Sequence, residues 1–81
     1  MLTMAAKTKL KPGDVLKQAM DFFGPKGYKL SITEQMANYV SFEGGGGGVS
    51  VTTKIEGTQT SVELTSREWD YQVKEFLGKI K

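Results

Sequence analysis

The sequence predicts an α+β fold: a two-layer sandwich in which a four-stranded antiparallel meander sheet packs one face against an N-terminal and a C-terminal helix, in the order α-β-β-β-β-α. Three observations predict it. Apolar residues recur with a helical period over Pro12–Phe23 and again after Ser66, the stretch between them alternates with a period of two, and its connections are short. At 81 residues the chain has room for one domain, expected to span residues 1–81 and to bury about 60 to 65% of the surface an unfolded chain exposes.

Residues 1–10 are expected as a flexible tail or an edge strand, because Thr8 and Leu10 alternate with Lys7, Lys9 and Lys11, and lysine discourages pairing at an open edge. The first helix spans Pro12–Phe23. Proline suits the first helical position, Asp14 favours the positive end of the helix dipole, and Gly24-Pro25 ends the element. Val15, Leu16, Ala19, Met20, Phe22 and Phe23 form its apolar face, with Asp14, Lys17, Gln18 and Asp21 turned outward.

The first strand should run from Tyr28, with Tyr28, Leu30 and Ile32 inward. The second, Tyr39–Glu43, puts Val40 and Phe42 inward and Tyr39 outward. The third, Val49–Ile55, alternates Val49, Val51 and Ile55 with Ser50, Thr52 and Lys54, and Glu56-Gly57 turns into the fourth, Thr60–Thr65, with Val62 and Leu64 inward. A second helix is expected to start at Ser66, with Thr65 and Glu68 spaced as a capping box. Its stripe is Trp69, Val73, Phe76, Leu77 and Ile80. The element order resembles half of a helix-grip or TATA-box-binding fold, an analogy of shape that carries no activity.

Composition narrows the chemistry. The chain has neither cysteine nor histidine, which removes disulfides, thiolate nucleophiles, the usual general base and the common soft metal ligands. It fits a reducing cytoplasm, has no apolar run of signal-peptide or membrane-spanning length, and implies neither cofactor nor metal. Glu34, Glu43, Glu56 and Glu63 lie at strand ends or on the outer face, without calcium-loop spacing.

Net charge is +2, yet residues 1–29 carry six lysines against Asp14 and Asp21, whereas residues 30–56 carry Lys54 against Glu34, Glu43 and Glu56. That asymmetry supports one alternative reading, a nucleic-acid-binding domain using the lysine-rich first third. Eleven basic against nine acidic residues is too balanced for a strong positive field, and Tyr39 alone gives the outer sheet face too few rings for a stacking platform.

The five consecutive glycines Gly44, Gly45, Gly46, Gly47 and Gly48 are the most unusual feature. They lack the Gly-Lys-Ser/Thr ending and following helix of a phosphate loop. They read instead as a flexible hairpin connection, or as strand where glycine admits a close backbone approach. The aromatic set Phe22, Phe23, Tyr28, Phe42, Trp69 and Phe76 reads as core. The sequence therefore points to a noncatalytic binding or interaction module, with Tyr39 and Gly44–Gly48 as its contact residues. Its expected partner is a protein or a second copy joined through an edge strand or the Ser/Thr-rich outer faces.

Overall fold

The computed structural model describes residues 2–80. Its first element, β1 (Leu2–Thr8), is an edge strand, the second of the two expectations for residues 1–10. Leu2, Met4, Ala6 and Thr8 face inward, but Ala5 and Ala6 are weak strand formers. The element exists because its full length pairs antiparallel with β5 (Gln59–Arg67), from Leu2 opposite Ser66 to Thr8 opposite Thr60. The expected four-stranded sheet thus has five strands, and the edge strand expected at Lys7–Lys11 lies earlier, with Lys9–Lys11 leading into α1.

Helix α1 (Pro12–Phe23) has the expected bounds and buries Val15, Leu16, Ala19 and Phe23. The chain then folds back, with the Leu30 amide donating to the Phe23 carbonyl, so that Leu30 is 2% exposed beneath the end of α1. Strand β2 (Ser31–Met36) starts later than the alternation suggests. Lys29 takes a left-handed φ of 65° that interrupts the strand geometry, and Tyr28 is 40% exposed rather than inward. Ile32 does face Phe42 but is also 40% exposed, since β2 is the sheet edge beyond the helical cover. A bulge falls between Ile32 and Glu34.

Strands β3 (Tyr39–Gly44), β4 (Gly47–Glu56) and β5 follow as an antiparallel meander joined by two-residue turns, and the complete sheet order is β1-β5-β4-β3-β2. Val40, Phe42, Val49, Val51, Val62 and Leu64 lie on the inner face with the buried residues of α1. Helix α2 (Asp70–Ile80) adds Val73, Phe76, Leu77 and Ile80 to the same core. Each such side chain stabilises the fold by about 1.5–3 kcal/mol through burial.

Helix α2 begins at Asp70, not at Ser66. Ser66 remains in β5 on the inner face, while Thr65 lies outward beside Ser50, so the expected capping box does not form. Ser66 nevertheless meets a helix-start amide, its Oγ accepting from the Trp69 N–H at 3.1 Å. Other buried hydroxyls likewise tie chain ends to the sheet. Thr60 donates to the Leu10 carbonyl at 2.7 Å, Thr53 to Asn38 at 3.2 Å, and Thr8 to the last helical residue, Ile80. Among the described residues no buried side-chain polar atom lacks a partner. No described helix is long and apolar enough to cross a membrane.

Candidate functional site

The glycine run forms a closed hairpin in place of a five-residue flexible connection. Gly44 pairs with Gly47, leaving Gly45 and Gly46 as the turn, with φ of 60° and 83°. Two consecutive positive φ values are what a type I′ hairpin turn requires, and glycine adopts them without strain. Crowding acts on one turn glycine and one flanking glycine as well. A Cβ on Gly47 would lie 2.0 Å from the Arg67 carbonyl oxygen, and one on Gly45 would lie 2.9 Å from the Trp69 ring. The Trp69 indole N–H donates to the Gly44 carbonyl at 3.0 Å. The hairpin is therefore the seat on which the residue preceding α2 rests.

Both helices pack on the inner face, through α1 against β3 and β4 and α2 against β5 and β1, leaving the outer face open. Its residues stand in rows across the strands. Arg67, Gly48 and Glu43 form one row, Thr65, Ser50 and Ser41 the next, and Glu63, Thr52 and Tyr39 the third. Because Gly48 has no side chain, the Arg67 guanidinium reaches over it to Glu43, 3.8 Å away. At the opposite end Lys7 pairs with Glu56 at 3.3 Å. Both pairs are exposed and each contributes about 0–1 kcal/mol.

Tyr39 is half-buried on this face. It lines a shallow depression of about 170 Å³ together with Gly48, Ser50, Thr65 and Arg67. Two of the residues singled out from sequence, Tyr39 and Gly48, thus come together. Gly44, Gly46 and Gly47 border a separate cleft with Ser31 and Thr33, and Gly45 lies against Trp69. Glu34, Glu43, Glu56 and Glu63 stand on four different strands, and no described cluster of three acidic side chains could hold a metal ion. The early lysines are similarly spread over β1, the connection to α1, α1 itself and the segment after it.

Of the six aromatic residues expected in the core, Phe23, Phe42 and Phe76 are buried, Phe22 and Trp69 are partly buried, and Tyr28 is exposed. Phe23 lies 5.6 Å from Phe42 and 5.4 Å from Phe76, and Tyr28 bridges Phe22 at 5.3 Å to Trp69 at 5.7 Å. The outer end of this chain floors a groove of about 460 Å³ between the helices, lined by Gln18, Asp21, Phe22, Tyr28, Phe76 and Lys79. Lys79 sits 5.0 Å from the Phe22 ring centre. The Tyr28 hydroxyl donates to Glu75 at 2.9 Å, and that bond holds the phenol above its ordinary pKa of 10. The sequence assigns these rings to the core because its alternation puts Tyr28 inside the sheet, whereas the structure leaves Phe22, Tyr28 and Phe76 lining the groove. The Gly24-Pro25-Lys26-Gly27 turn immediately before Tyr28 was the available signal that the strand had not yet begun.

No protein-family model, curated protein or solved structure matches the chain.

Proposed function

We propose that this chain is a noncatalytic interaction module whose contact surface is the open outer face of the sheet, centred on Tyr39 and the Thr65-Ser50-Ser41 row. The observation that carries this reading is the one-sided packing: both helices cover the inner face, and five strands present their other side without a second layer. Side chains held on strands lose little further freedom on binding, and a half-buried tyrosine adds contact area with a polar tip. The hydroxyls around it satisfy hydrogen bonds from a protein surface without a concentrated charge. A single ring favours protein over single-stranded nucleic acid, which needs successive stacking partners.

Site-specific photo-crosslinking tests the reading in the cells that produce the protein. A benzophenone side chain at Thr52 on the outer face should give discrete protein adducts, while one at Lys17 on α1 should give none. Adducts from Lys17 alone, or from neither position, would overturn it.

A further inference from the structure

We infer that the occupant of the outer face is a second copy of this chain, packed face to face about a twofold axis running along β4; the inference rests on the reading of that face as the contact surface. In the order β1-β5-β4-β3-β2, β4 is the central strand, with two strands on each side. The two sides carry opposite charge. On the outer face β1 and β5 present Lys7 and Arg67 with Glu63, whereas β2 and β3 present Glu34 and Glu43 and no cation. Rotation about β4 lays β5 of each copy over β3 of the other and β1 over β2, so that Arg67 meets Glu43 and Thr3 meets Glu34.

The rows match under the same operation. Arg67 and Glu43 stand one strand to either side of Gly48, so each comes over its opposite in the second copy and can exchange the partner it holds across Gly48 in its own chain. Thr65 lies over Ser41, and the Glu63 carboxylate faces the Tyr39 hydroxyl. Ser50 and Thr52 meet their own counterparts on the axis, as do Lys54 and Glu56 farther along β4, two like-charge contacts that weaken the association. Twisted sheets that stack in an aligned manner keep their strands within about 30° of each other, which an axis along the strands permits. Five strands about 4.8 Å apart over about 20 Å of length cover roughly 500 Å². That is below the ~800 Å² per partner of a standard interface, so the dimer should be concentration-dependent and weakened by salt.

Sedimentation equilibrium over a wide concentration range tests the proposal on the whole chain. The expected result is a reversible monomer–dimer equilibrium. Glu43→Lys, and separately Arg67→Glu, should each raise the dissociation constant by roughly tenfold or more. An equimolar mixture of the two should recover a heterodimer, because both contact zones become complementary again. Ser50→Glu, which sets a further like charge against itself near the centre of the face, should also weaken the dimer; circular dichroism checks that each variant keeps its fold. A wild-type monomer at every concentration would overturn the second copy as occupant, while adducts to other proteins from Thr52 would still uphold the contact surface. A dimer indifferent to these substitutions but lost on Thr33→Pro in β2 would overturn the face-to-face arrangement in favour of edge pairing.

Discussion

The two ends of β4 have opposite characters. Gly47 and Gly48, which have no side chains to bury, are themselves buried, whereas Ile55 near the other end is 68% exposed although its register puts it on the inner face. At the glycine end the backbone is covered by Arg67, Glu68 and Glu43. At the Ile55 end the hairpin has outrun the helical layer. Burial along one strand is therefore set by what lies over it, and the hydrophobicity of the residue comes second.

Substitutions at the two ends would break this contrast if it is misjudged. The largest effect belongs to Gly47→Ala. The added methyl would sit within bonding distance of the Arg67 carbonyl, and moving β4 away from β5 should cost about 3 kcal/mol. Urea denaturation measures it, and a loss below about 0.5 kcal/mol would mean that the hairpin is not packed this closely. Trp69→Phe retains most of the ring while removing the donor to the Gly44 carbonyl, with an expected loss of about 1–2 kcal/mol. Next comes a gain. Glu68 holds a φ of 68° between β5 and α2, so Glu68→Gly should raise thermal stability by up to about 1 kcal/mol by relieving left-handed strain.

Ile55→Thr tests the exposed end and should change the urea midpoint by less than about 0.5 kcal/mol, since little apolar area leaves water there. The smallest effect is one of pH. Glu75 raises the Tyr28 pKa above 10, so in the folded state the phenol keeps its proton at a higher pH than in the unfolded chain. The stabilisation is fully present below pH 10 and is lost as pH rises through the folded-state value. Phenolate absorbance of the wild type minus that of Tyr28→Phe isolates this titration, and a midpoint at or below 10 would contradict the hydrogen bond.

Legibility in the sequence followed the strength of local pattern. Helix α1 could be read to the residue because Pro12, Asp14 and Gly24-Pro25 mark its ends by local chemistry. The meander was legible from Val40, Phe42, Val49, Val51, Val62 and Leu64, whose alternation fits one buried face. What could not be read was non-local. Strand β1 depends on β5 across the length of the chain, the positive φ of Lys29 and Glu68 breaks the pattern without a glycine to signal it, and Ser66 caps from inside a strand. At the candidate site, the glycine run and outward Tyr39 were visible, but their separation was not. Only hairpin register reveals that Gly48 reaches the outer depression while Gly45 lies against Trp69.

The position of β1 also shapes how the chain reaches its folded state. Three two-residue turns zip β2 to β5 with short loop closures, whereas bringing β1 to β5 closes the chain from Thr8 to Thr60. With β2 to β5 already paired, the free connection runs from Thr8 to Ser31, and by the logarithmic cost of loop length its closure is about 2 kcal/mol more expensive in entropy than a two-residue turn. The rate of attaining the native state is thus tied to a single long-range event, in which the first strand finds a sheet that can already assemble without it.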